Sequence, residues 1–290
     1  MTEGKAGAVL GLLTGALVWG LIWYPYRALE EVGVSGSLAT LASYGVASLA
    51  AVALFRRELA PLLRLDPSLA LIALSAGWCN LAYILGTIHG QVMQVLLLFY
   101  LAPLWTVLFA RVLLDERPGA IGAAVIALSL AGAAVMLWQP GARLPLPRTG
   151  AEWLGLTSGF TFALSNVLIR RARHHSVRLK STAVLLGVAA VAVLVVPFEA
   201  GAALPLPGEV TWPHAALLIV LGVVLLATNL AVQHGLTLTS ANQAIVIMLT
   251  ELVVGAASAY LLAAEAMRWN EWAGGAMIVA ASLLSGRMRS

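Results

Sequence analysis

The sequence predicts an all-α membrane protein of ten transmembrane helices, built as two five-helix repeats of inverted topology. Three observations lead there: a composition that water cannot solvate, ten apolar segments long enough to cross a bilayer, and marks that recur in the second half of the chain in the order of the first. Of 290 residues, 61% are hydrophobic and only 10% charged, with mean hydropathy +0.92. A soluble domain carries about 25% charged residues, so lipid is the solvent for most of this surface. In lipid the backbone must satisfy its own hydrogen bonds, which leaves helices or closed barrels. The apolar runs are long and continuous and do not alternate, so they read as helices. Cys79 is the one cysteine, which excludes an internal disulfide framework and a cysteine-based metal cluster.

A crossing needs about 20 mostly apolar residues. The segments that meet this are 6–26, 36–54, 68–88, 92–113, 119–138, 151–169, 181–198, 213–233, 242–263 and 270–286. Charge and turn residues punctuate them, as at Arg56-Arg57-Glu58, Asp115-Glu116-Arg117-Pro118, Pro140-Gly141 and Pro205-Leu206-Pro207-Gly208. Lys5 before an apolar run has the look of a signal peptide, but the run lacks a clean small-residue cleavage site and reads as a retained first helix.

With ten crossings both termini share a side. Of the 17 lysines and arginines, only Arg27, Arg143, Arg148 and Arg268 fall on the other side. That bias puts the termini in the cytoplasm and accounts for a pI near 9.6 without nucleic acid. Trp23, Trp138, Trp153, Trp212, Trp269 and Trp272 fall near the outer ends of their segments as an interfacial belt, whereas Trp19, Trp78 and Trp105 lie deeper.

The repeat is read from paired marks. Gly11-Leu12-Leu13-Thr14-Gly15 in segment one answers to Gly155-Leu156-Thr157-Ser158-Gly159 in segment six. His89-Gly90 answers to His234-Gly235, and Asp115-Glu116 after segment four to Glu265 after segment nine. The offsets are all about 144 to 149 residues. The halves are 1–140 and 150–290, and five crossings each, an odd number, give them opposite orientations. Transporters built this way bind substrate between the halves near the midplane.

Two five-helix halves, the Trp19-Gly20 pair late in segment one, and the acidic residues after segments four and nine resemble the EamA-type drug/metabolite transporter superfamily. More narrowly the chain is similar to the YddG-type aromatic amino-acid exporters. That resemblance implies a bacterial inner-membrane protein exporting aromatic and other amino acids. One departure stands out: segment nine has Thr250-Glu251-Leu252 where the first half has Ala102-Pro103-Leu104.

Polar groups inside a bilayer are functional candidates because they cost free energy unless paired or wet. Glu251 comes first; a carboxylate at that depth costs about 2.5–3.5 kcal/mol on insertion scales. It shares a helical face with Met248, Gly255 and Ser258, and either lines a cavity or is a structural carboxyl bonded to a neighbouring helix. Gly77, Asn80, Tyr83 or Ile84, and Thr87 form a polar stripe, and Asn229 with Gln233 and Phe162 with Asn166 recur at i, i+4. Such amides face a cavity or join helices. In segment four Gln94 and Trp105 share a face, with Tyr100 and Pro103 on another, and Pro103 is expected to kink the helix. Gly7, Gly11 and Gly15 form a smooth row for close helix packing.

The substrate-binding set read from the sequence is therefore Trp19, Trp78, Asn80, Tyr83, Tyr100, Trp105, Phe162, Asn166, Asn229 and Glu251. Rings and amides together suit a small amphipathic solute such as an amino acid, moved by alternating access. No catalytic residue, metal site or cofactor is read, because HExxH, GxSxG and the phosphate-binding GxxxxGK[ST] pattern do not occur. His174-His175 sits among basic residues and suits lipid headgroups better than a metal. The partners implied are the solute and the lipid bilayer, with no nucleic acid and no oligomer required beyond a monomer. Two other classes compete with the carrier reading: an intramembrane enzyme acting on lipid, and a non-transporting membrane scaffold.

Overall fold

A computed structural model describes residues 3–63, 66–89, 95, 98–136, 138, 147–198, 211–262 and 268–287, and all regular structure among them is helical. The first half holds α1 (Glu3–Leu21), α2 (Trp23–Glu30), α3 (Gly36–Phe55), the short α4 (Ala60–Leu63), α5 (Pro67–His89), α6 (Ala102–Leu114) and α7 (Ala120–Met136). The second holds α8 (Gly150–Arg171), α9 (Val177–Val195), α10 (Trp212–Leu238), α11 (Ala241–Met248), α12 (Thr250–Leu262) and α13 (Trp269–Leu284). Among the described residues, six helical stretches are long and apolar enough to cross a membrane: α1 with α2, α3, α5, α9, α10, and α11 with α12. Shorter apolar helices α6, α7 and α13, and the 22-residue, more polar α8, occupy the four remaining predicted segments.

Local chemistry explains the boundaries. Thr149, Ser176 and Ser240 cap α8, α9 and α11 by accepting from the backbone N–H three residues on. Pro25 cannot donate to the Leu21 carbonyl, and α1 ends at Leu21. The expected kink at Pro103 is instead a restart. The chain turns at Tyr100 and Leu101, and Pro103 sits in the first turn of α6, where its missing N–H costs nothing. Segment nine is broken at the matching place, with Leu249 between α11 and α12, although no proline marks it. Gln94, Gly90, Pro140-Gly141, Pro205 to Gly208 and Glu265 lie outside the described residues.

Helix pairing follows an exchange between the halves. Segment one packs on eight (α1 on α10) as six packs on three (α8 on α5), and two on eight (α3 on α10) as seven on three (α9 on α5). Segment one also packs on nine (α1 on α12) as six packs on four (α8 on α6). Segments five and ten, which the exchange maps onto each other, run antiparallel: Asn270 at the start of α13 donates to Val135 O and Trp138 O, while Gly132 abuts Gly274 and Ile278. Segments four and nine do likewise, Ala102 lying with Ile245 and Val246, and Ala110 with Ala241.

Small residues let these backbones touch. Gly7, Gly11 and Gly15 face α10 at His234, Ala231 and Val232, so this row is a packing seam. A Cβ on Gly77 would lie 2.6 Å from Gly187 O, and one on Gly187 would run into the Ala73 backbone. Trp138, Trp153, Trp212, Trp269 and Trp272 are all exposed and stand at the end of α7 or the starts of α8, α10 and α13.

Candidate functional site

The breaks in segments four and nine and the bends of α1 into α2 leave room at the centre of the bundle. A cavity there encloses about 830 Å³ of atom-free space, part of it open to solvent. Both halves line it: Trp19, Tyr26, Tyr44, Asn80, Tyr83 and Phe99 from the first, and Phe162, Ser165, Asn166, Val184, Asn229, Gln233 and Glu251 from the second. No lysine, arginine or histidine lines it among the described residues.

Of the ten residues read from the sequence, Trp19, Asn80, Tyr83, Phe162, Asn166, Asn229 and Glu251 meet in this cavity. Trp78, Tyr100 and Trp105 do not. Trp78 lies two residues before Asn80, about 200° round the helix, so it points outward. It is 38% exposed, its indole N–H donating to Thr157 Oγ1 at 3.2 Å. Trp105 packs edge-on to Phe160, 5.3 Å between centroids, on the outer seam of α6 and α8. Tyr100 stands behind the cavity wall, edge-on to Phe99 at 5.2 Å in a buried cluster with Cys79, Leu249 and Leu252.

The wall itself is partly satisfied. Tyr44 donates to Asn80 Oδ1 at 2.8 Å, and Asn80 Nδ2 to Ala76 O at 2.9 Å. Tyr26 OH and Ser43 Oγ are 2.7 Å apart. The rings of Tyr83, Phe99 and Phe162 form a row with centroids 5.1 and 5.3 Å apart. Other groups are left over. Trp19 is close enough to the Tyr44 phenol to act on it, yet its indole N–H makes no hydrogen bond of good geometry, and the buried Gln233 Oε1 has no partner. Glu251, in the first turn of α12 and 8% exposed, makes no hydrogen bond or ion pair among the described residues.

The EamA-like transporter family model matches residues 6–138 and again 149–287. The chain belongs to the EamA-like transporter family. This EamA-like protein is accordingly a multi-pass membrane transporter of small solutes, with two copies of the family's repeat. A crystal structure that is 18% identical superposes with TM-score 0.72, covering 96% of each chain, and shows the same fold. No curated protein matches.

Three features of this EamA-like site escaped the sequence reading. Tyr44 and Val184 bring segments two and seven to the wall; the polar row Thr40, Ser43, Tyr44 and Ser48 was the signal for the former. Tyr26 enters from α2, beyond the break at Ile22. The third is a polar tie at one end of the bundle. Asp115, left-handed at φ 55°, reverses the chain after α6 and delivers Glu116. Glu116 Oε1 takes Arg170 Nε at 3.3 Å, and its Oε2 takes the Ala241 N–H that opens α11 at 3.0 Å. Arg170 also donates to Thr237 O, and fully buried Lys180 to Thr237 Oγ1.

Proposed function

We propose that this protein is an exporter of aromatic and other neutral amino acids, or of similarly small amphipathic metabolites, of the YddG type. It works by alternating access through the central cavity. Its ten crossings divide into repeats at 1–140 and 150–290 of inverted topology, with both termini in the cytoplasm of a bacterium and the chain in the inner membrane. The observation that carries this reading is the cavity: its wall is drawn from both halves, and it combines aromatic rings with amides and one carboxyl. Rings suit an apolar side chain, and amides and the carboxyl suit the polar end of an amino acid. The antiparallel pairing of segment five with ten, and of four with nine, supports the inversion.

Counterflow in proteoliposomes tests it. Vesicles preloaded with unlabelled phenylalanine should accumulate labelled phenylalanine transiently, and leucine or tyrosine should compete. Absence of counterflow with every amino acid, by protein that is folded and inserted, would refute the proposal.

A further inference from the structure

A buried carboxyl either takes up a proton or finds a counter-charge, since an unpaired charge in a low-dielectric interior costs several kcal/mol. Glu251 has none supplied by the protein. It is nine-tenths buried, it forms no hydrogen bond or ion pair among the described residues, and its cavity is lined by no lysine, arginine or histidine. The titratable groups that feel its charge are the Cys79 thiol and the Tyr83 and Tyr100 phenols, none of them a cation. Two largely buried basic groups of the second half, Arg170 and Lys180, are committed to Glu116 and Thr237 at one end of the bundle. The start of α12 offers the carboxylate only the partial positive end of a 13-residue helix.

The rest of the wall points to the same charge. Tyr83, Phe99 and Phe162 line the same wall, and aromatic rings attract an organic cation at their faces. Gln233 Oε1 is a second unpartnered acceptor. On the donor side, the Asn80 amide already donates to Ala76 O, and the Trp19 indole N–H is buried without a hydrogen bond.

We infer that Glu251 is the counter-charge for the cargo's ammonium group, so that the cavity takes aromatic monoamines ahead of zwitterionic amino acids and rejects solutes whose sole charge is a carboxylate. This rests on the transporter reading for its biological sense, but the site can be tested by binding alone. Three probes share one ring and differ in charge: 2-phenylethylamine, L-phenylalanine and 3-phenylpropanoate. Purified full-length protein should bind labelled 2-phenylethylamine. L-Phenylalanine should displace it at higher concentration, and 3-phenylpropanoate should not displace it. Glu251→Gln keeps shape and hydrogen bonding but loses the charge, and should weaken amine binding by about tenfold or more. Glu251→Asp should retain part of the affinity.

Equal displacement by 3-phenylpropanoate and by the amine would overturn the inference, as would wild-type amine binding by Glu251→Gln. Should Glu251→Gln not fold, the displacement order on wild-type protein decides by itself. The two readings fail separately. Amine-selective binding without any flux in vesicles sinks the transport proposal and keeps the Glu251 assignment, whereas amino-acid flux with no preference for the amine sinks the assignment alone.

Discussion

Trp19 and Trp105 both lie deep along their segments, yet their surroundings differ in kind. Both keep a buried indole N–H without a hydrogen bond, but Trp19 borders the cavity whereas Trp105 packs on Phe160 away from it. Trp19→Ala should therefore lower the transport of aromatic solutes severalfold or more, because an aromatic contact of this kind is worth about 0.5–1.5 kcal/mol beyond its buried area. Trp105→Ala should leave the apparent affinity for solute unchanged and lower the melting temperature through lost packing. Initial uptake rates against concentration, beside thermal melts of each variant, separate the two outcomes, and equal loss of affinity would contradict the geometry. Depth was legible in the sequence for both residues, but phase was not. Asn80 with Tyr83, Phe162 with Asn166, and Asn229 with Gln233 could be read because each is a pair of amphipathic or polar side chains at helical spacing, which fixes a face. A single tryptophan in an apolar run fixes none, which is how Trp78 and Trp105 entered the reading. Tyr100 failed differently, since it sits where the chain turns before α6 and helical phase no longer applies.

At the scale of elements, the tightest seams are those where glycine admits a neighbouring backbone. Gly187 on α9 meets Ala73 of α5, and Gly77 of α5 meets Gly187 in return. Adding one methyl there forces backbones apart, and overpacking of that kind costs about 1–3 kcal/mol. Gly45 on α3 is the matched control, because a Cβ there meets nothing within 4 Å. Gly187→Ala should lower the melting temperature in detergent, while Gly45→Ala should hold or raise it through better helix propensity. A Gly187→Ala protein as stable as wild type would show that α5 and α9 can separate freely. The positions of the helices could be read from hydropathy, as could the Gly7, Gly11 and Gly15 seam. The break at Leu249 could not, because no proline or glycine marks it. It is visible only beside its counterpart at Tyr100 and Leu101, where Pro103 opens a new helix. Thr250-Glu251-Leu252 aligns with Ala102-Pro103-Leu104, so a carboxyl stands in the half where the other half places a helix-starting proline.

Across the whole molecule, alternating access requires each end of the bundle to open in turn. The end that carries Arg170 is held by a tie among five helix ends, formed by Glu116 after α6, Arg170 in α8, Lys180 in α9, Thr237 in α10 and Ala241 in α11. Arg170 and Glu116 are only 18% and 13% exposed, so water screens their pairing little. Charge patterning leads to the expectation that this end faces the cytoplasm, but the tie itself was not legible. Its members are scattered from position 116 to 241 and meet only once the halves interleave. Opening this end pulls Glu116 away from Arg170 and from the Ala241 N–H, so Glu116→Gln should shift the population toward the state open there. A coupling of about 1–3 kcal/mol corresponds to a shift of roughly 5- to 150-fold. A cysteine at Ser165, which lines the cavity, reports the shift in a Cys79→Ser background. An impermeant maleimide supplied from the Arg170 end should label it faster with Glu116→Gln than without. The same reagent supplied from the opposite end should label it more slowly, because the two openings draw on one population. Unchanged labelling from both ends would mean that the tie fastens the fold without closing the pathway.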